Sequence, residues 1–126
     1  AIHQKTGIGT LSAYCGVVSA GAGSGAGIAY LLGGGFDEVE HTVVNSIAIL
    51  SGMICDGAKA SCAAKIAAAV DAGILGFNMY KQGQQFFAGD GIVADGIEAT
   101  IKNIGRLGRE GMRATNDEII DMMIKK

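Results

Sequence analysis

The stretch SGMICDGAKASCAAKIAAAVDAG, Ser51 to Gly73, carries two of the chain's three cysteines, Cys55 and Cys62, on either side of an Asp56-Gly57 pair. Asp-Gly is a start signal, and the alanine-rich run after it reads as a helix over Ala58–Ala72 with Gly73 as its stop, the apolar Ile74–Met79 either extending it or beginning a new turn. Cys55 and Cys62 are seven residues apart. On one continuous helix that separation is a rise of roughly 10 Å, too far for two thiolates to share one small centre easily. If the helix begins at Asp56 or Gly57, Cys55 belongs to the incoming loop and folds back over the first turn. Gly52 and Gly57 then supply the backbone freedom. Cys15 lies upstream in the other small-residue segment, SAYCGVVSAGAGSGAGIAYLLGGG (Ser12 to Gly35). All the thiols therefore sit in the two most Gly/Ala-rich segments, and these two segments are expected to meet.

From Thr6 to Phe36 there is no charged side chain. The length suits a membrane span, and the glycines offer small-xxx-small contacts, but glycine and alanine make the run too weakly hydrophobic. A central helix buried among other helices fits better, with Gly33-Gly34-Gly35 ending it. GAGSGA (Gly21 to Ala26) has the shape of a dinucleotide-binding fingerprint. No further βαβ pattern follows it, and such matches arise by chance in Gly/Ala-rich sequence.

Further along, Phe36–Ile54 reads as a helix with Asp37 as its N-cap and Glu38 and Glu40 in the first turn. Val39, Val43, Ile47 and Leu50 fall on one face, and His41 lies beside the polar face as a solvated or hydrogen-bonded side chain. Residues 81–91 (KQGQQFFAGDG) read as a loop anchored by Phe86 and Phe87. Ile92–Leu107 suggests a helix with Asp95 as a cap, and Thr115 to Glu118 is a capping box for a short terminal helix. The chain has no proline, the strongest helix breaker, and no stretch alternates with period two. The fold class is all-α: a Gly/Ala-rich helical domain with a buried central helix, one domain over residues 1–126.

The totals set further bounds. Net charge is −2 with both signs interspersed, so there is no electrostatic footprint for nucleic acid or an anionic membrane. Charged residues make up 17% of the chain and apolar residues 49%, against a typical ~25% charged. A surface so poor in charge suggests a homo-oligomer or a fragment whose missing part covers one face. The first residue is Ala and no signal peptide precedes it, so the expectation is a piece of a longer protein. An odd number of cysteines without secretory context argues against a disulfide framework and for a reducing, cytoplasmic home.

Two readings of the thiols stand on spacing alone. Free cysteine is among the most buried residue types and suits a small-residue seam, which makes the chain a cofactor-free helical interaction or structural module. Alternatively, three soft ligands with an open fourth position suit an iron–sulfur cluster that binds substrate directly. The C-x6-C spacing is no zinc knuckle, and neither histidine is placed to complete a zinc site.

SAYCGVVSAGAGSGAGIAYLLGG and LSGMICDGAKASCAAKIAAAVDAG together strongly resemble the C-terminal part of the L-cysteine desulfidase (UPF0597) proteins, relatives of the iron–sulfur L-serine dehydratase alpha chain. The likeness runs over most of the chain, is densest from Gly9 to Gly76, and is most specific at MICDGAK around Cys55. The resemblance implies a 4Fe–4S cluster held by Cys15, Cys55 and Cys62, with one iron left open for substrate. It implies a lyase that performs β-elimination on L-cysteine, giving pyruvate, ammonia and sulfide, or on L-serine, giving pyruvate and ammonia. C-x6-C favours the desulfidase branch. Such proteins are much longer than 126 residues. By this likeness the chain is the cluster-binding C-terminal part, its partner is the remainder of the same polypeptide, and the catalytic base comes from an N-terminal segment. Lys59 is a candidate for neutralising the cluster or the substrate carboxylate, Asp56 for a helix cap, and Ser51, Asn45 and Ser61 for hydrogen bonds to sulfur or substrate. His3, Lys5 and Thr6 lie in the resembling region with no assignable mechanism.

Overall fold

Helix formation without proline and with scattered glycine depends on tertiary packing, because glycine costs about 1 kcal/mol against alanine in a helix interior. The computed structural model describes residues 13–51 and 53–125. His3, Lys5, Thr6 and Gly52 lie outside the described residues. The order is α1 (Val17–Leu31), α2 (Phe36–Ile49), α3 (Ser61–Lys81), α4 (Ile97–Arg106), a π-helical turn (Leu107–Gly111) and α5 (Arg113–Ile124). Among the described residues there is no strand, only one isolated antiparallel bridge between Tyr14 and Ile54. The fold is all-α, as expected.

The first three helices pack against one another and hold the core. Gly21 and Gly25 on α1 are one turn apart and face Ala69 and Gly73, likewise one turn apart on α3. A Cβ added to Gly25 would lie 2.8 Å from the Gly73 Cα, and one added to Gly21 would lie 2.6 Å from the Ala69 Cβ. These distances leave room for nothing larger than hydrogen. Both pairs run in the same direction with one offset, so α1 and α3 lie side by side in parallel and their N-terminal ends come together. On the next turn of α3, Gly76 meets α2, where its Cβ would lie 3.0 Å from that of Asn45. Buried Asn45 donates from Nδ2 to the Gly76 carbonyl (3.0 Å) and accepts from the Phe86 amide (3.2 Å), so both polar ends of its amide are used.

Several boundaries differ from the sequence reading. Gly73 does not stop α3, which runs on to Lys81; its missing Cβ is used for the approach of α1. α3 starts at Ser61 instead of Ala58, because Gly57 has φ +97° and residues 53–55 are held in the bridge region. α2 ends at Ile49, not Ile54, and its N-cap is Gly35 instead of Asp37. The Gly35 amide donates to Glu38 Oε2 at 2.8 Å, the side-chain half of a capping box. α4 starts at Ile97, after Gly96 with φ +89°, and its first amide donates to Glu40 Oε1 of α2 (3.1 Å), so Asp95 is not the cap. The terminal helix begins at Arg113, ahead of the Thr115 box. Gly33, with φ +84°, does end α1 as expected. Gly21 to Ala26 lies inside α1, with no strand-to-helix turn to cradle a nucleotide phosphate. His41 stacks on Tyr80, ring centroids 4.4 Å apart. α3 is the one described helix long and apolar enough to cross a membrane, and it packs against both α1 and α2.

The glycine seam gives a paired expectation. Gly21→Ala should destabilise the protein by about 1–3 kcal/mol through overpacking. Gly23→Ala, on the open side of the same helix with nothing within 4 Å, should stabilise by about 0.5–1 kcal/mol. Urea unfolding of the two variants beside wild type checks both signs.

Candidate cysteine site

Parallel packing of α1 and α3 puts their entries side by side. Cys15 is two residues before α1, and Cys62 is the second residue of α3. Between these entries runs the segment that carries Cys55. The Cys55 amide donates to the Ala13 carbonyl at 2.6 Å, and the Cys15 amide donates to the Met53 carbonyl at 3.3 Å. This is a non-hydrogen-bonded antiparallel pair centred on Tyr14 and Ile54. Alternation along each segment therefore puts Cys15 and Cys55 on the same side of the bridge, diagonal to one another. Both belong to or pack on the main apolar cluster with Val18, Ile47 and Leu50. Cys15 is buried; Cys55 and Cys62 are half-buried, and all three are free thiols. The Cys62 thiol lies 3.6 Å from the Gly57 carbonyl, to which it donates. The Cys55 loop expected from Asp56-Gly57 is thus present, and Gly57 supplies the left-handed residue it needs.

Charge gathers on the same loop. Asp56 accepts from Lys59 and, through Oδ1, from Lys65 at 2.9 Å. It is therefore an ion-pair acceptor and not the cap of α3, whose N-cap is Ala60. The hydrogen bond from Lys59, followed by that from Lys65, pulls the Asp56 carboxyl from its ordinary 3.8 down to about 2. The Lys65 ammonium also donates to the Ile54 carbonyl at 2.9 Å. Its pKa is raised, first by the Asp56 hydrogen bond and to a smaller degree by the negative forms of Cys15 and Cys62. Tyr14, beside Cys15, is pushed up to about 12 by burial, with the negative form of Cys15 adding to the rise, so its phenol stays neutral.

The sequence-derived residues fall into separate groups. Cys15 and Cys55 lie on the same side of the bridge as a diagonal pair, and Cys62 lies on the first turn of α3, its thiol bonded to the Gly57 carbonyl of the same loop. Lys59 sits on the loop, its side chain 48% exposed. Ser51 is exposed in the turn after α2, and Ser61 is exposed at the start of α3. Asn45 is a packing residue between α2 and α3 and not a sulfur ligand partner. Among the described residues no three or more His, Cys, Asp or Glu side chains are grouped as a single metal ion would require. Sequence reasoning missed Lys65. Its signal was present: it is the only charged residue between Lys59 and Asp71, and it stands one turn after Cys62 on the same helical face.

The chain matches the family described as serine dehydratase alpha chain over residues 1–121. It is similar to a UPF0597 protein of Desulfitobacterium hafniense, 69% identical over 125 residues, which are 99% of this chain and 29% of that protein. A UPF0597 protein of Finegoldia magna is 53% identical over 126 residues, 100% of this chain and 30% of the relative. One from Bacteroides fragilis is 40% identical over 125 residues, 99% and 29% respectively. The chain spans under a third of the length of these curated relatives. No solved structure matches it.

A depressed carboxyl pKa means that the Asp56 pairs stabilise the fold above the ordinary 3.8 and are lost as pH falls through about 2. A carbon-detected NMR titration should find the Asp56 midpoint near 2, and Lys59→Met should move it upward.

Proposed function

This chain belongs to the serine dehydratase alpha chain family, and on that footing we propose that it is the cluster-binding part of an iron–sulfur lyase acting on a small L-amino acid. The reaction is β-elimination. Removal of the α-proton and departure of the β-substituent, sulfide from L-cysteine or water from L-serine, leaves an enamine that hydrolyses to pyruvate and ammonia. The L-cysteine substrate is the one favoured by C-x6-C. The observation that carries the proposal is the convergence of the Cys15, Cys55 and Cys62 segments at one end of the α1–α3 seam.

The donor set fits a 4Fe–4S cluster. Iron–sulfur clusters are held by cysteine thiolates, each iron taking its own ligand, so the thiols need not converge on a point as they would around one ion. Cys15, Cys55 and Cys62 would hold it. When bound, its open iron supplies a Lewis acid that polarises the leaving group of the substrate.

The chain's own residues do the rest of the work at the mouth of the site. Asp56 is shared by two lysines, so the loop carries a surplus positive charge. Lys59, bonded to Asp56 and the more exposed of the two lysines, would meet the substrate carboxylate. Ser51 offers a hydroxyl from the turn that leads into the Cys55 segment. Val18, Ile47 and Leu50 behind Cys15 keep water from the inner side. The base that takes the α-proton comes from the remainder of the polypeptide in this reading, and a reducing cytoplasm suits three free thiols.

A second reading has one observation in its favour. Cys15 is 3% exposed and packed in the apolar core, as a cofactor-free structural thiol would be. Iron and acid-labile sulfide content after anaerobic reconstitution separates the two. The cluster reading expects about four of each per chain, with a visible charge-transfer spectrum, and expects Cys15→Ser, Cys55→Ser and Cys62→Ser each to lose it. A folded wild type without iron sinks the cluster reading, and a serine variant with full iron content is not a ligand variant.

A further inference from the structure

Cys55 is held from both sides by one side chain that the reading above counts only toward the positive charge of the loop. The Lys65 ammonium bonds the carbonyl of Ile54, the residue before Cys55, and the carboxylate of Asp56, the residue after it, each at 2.9 Å. Lys65 itself is fixed to α3 one turn beyond Cys62. Its side chain is only 22% exposed, half as open as Lys59 at 48%, so its stem is packed and its head is committed. On its other edge the Cys55 segment is tied to Ala13 and thereby to Cys15.

We propose that Lys65 is the positioning residue of the cysteine site, pinning the Cys55 segment to the helix that bears Cys62 and compensating the charge of the assembled thiolates. The physical argument is one of order and of charge. Residues 53–57 are irregular backbone that ends in a left-handed glycine, and such a segment has no helical or sheet ladder of its own to fix it. A single bridge supplies two hydrogen bonds; Lys65 adds two more, both charge-assisted and therefore stronger than neutral ones. In the cluster reading the three cysteines are thiolates that repel one another, and a cation held on the loop beside Cys55 would offset that repulsion. Lys59 does not serve the same purpose, because it reaches Asp56 alone and from the open side.

The pinning of the Cys55 segment stands without the cluster reading; the charge compensation and the second readout rest on it. The first is hydrogen–deuterium exchange of the peptide over residues 53–57 in the cluster-free protein, which depends on no metal. Lys65→Met keeps the stem and removes both bonds; exchange of this segment should rise about tenfold, the size expected for loss of a charge-assisted bond. Lys65→Arg, which restores a cationic donor, should return exchange to within about twofold of wild type, whereas Lys59→Met should not raise it. The second readout is iron and sulfide retained after anaerobic reconstitution and desalting, with the visible spectrum. Lys65→Met should retain less than half of the wild-type content and Lys65→Arg most of it. Unchanged exchange in Lys65→Met, or full cluster retention by it, overturns the inference. Wild type that takes up no iron sinks the cluster reading instead and leaves the exchange result to judge the clamp. If Lys65→Met loses its helical circular dichroism, Asp56→Asn loosens the same clamp from the loop side. A segment 53–57 that exchanges no faster in that variant than in wild type then overturns the proposal.

Discussion

Everything in this molecule follows from two helix backbones in contact. Gly25 faces Gly73 with no Cβ between them, and one turn back Gly21 meets Ala69. Packed interiors tolerate neither gaps nor overlaps, so helices that meet through hydrogen atoms lie closer than helices separated by side chains. Such an approach fixes their register: a one-residue slip turns a glycine out of the seam and a methyl group into it. The seam is therefore a ruler as well as a contact, and it aligns the N-terminal end of α1 with that of α3.

The thiols inherit their proximity from that alignment. Cys15 is carried on the entry to α1 and Cys62 on the first turn of α3, so a parallel pair of helices presents both at one end. The Cys55 segment closes the gap between them, and what holds it is backbone pairing with residues 13–15 together with the Lys65 contacts. One helix running unbroken through Cys55 and Cys62 would have set the two thiols roughly 10 Å apart along its axis. The left-handed Gly57 and the capture of Asp56 by two lysines postpone the helix to Ser61, and in that interval Cys55 becomes a loop residue. The character of this end of the seam, one buried and two half-buried thiols beside a loop that carries two lysines, is a consequence of where the helix is permitted to begin.

The same geometry explains an exposed side chain set that would be costly in a self-sufficient surface. Tyr30, Leu31, Leu32 and Phe36 at the turn between α1 and α2 are more than half exposed. The relatives it matches are more than three times as long. Those two facts agree with a unit whose own core is complete but whose outer faces are not all finished by its own residues.

Much of this was legible in the residues. Proline-free, alanine-rich sequence settled the helical class, and Gly33-Gly34-Gly35 marked the end of α1 because successive glycines cannot hold a helix without packing. Asp56-Gly57 marked a break that made Cys55 a loop residue. Sequence also supplied the family, since MICDGAK and the contexts of Cys15 and Cys62 are local patterns. What the chain alone did not disclose was which glycines end helices and which join them. Gly33 and Gly73 are the same residue type; one adopts positive φ and the other lies flat against a second backbone, and only the neighbour decides. Nor did it disclose the bridge between Tyr14 and Ile54 or the reach of Lys65 across to Asp56. Those contacts join residues far apart in the chain, and long-range pairing is set by the packing of whole helices, which no local window of sequence contains.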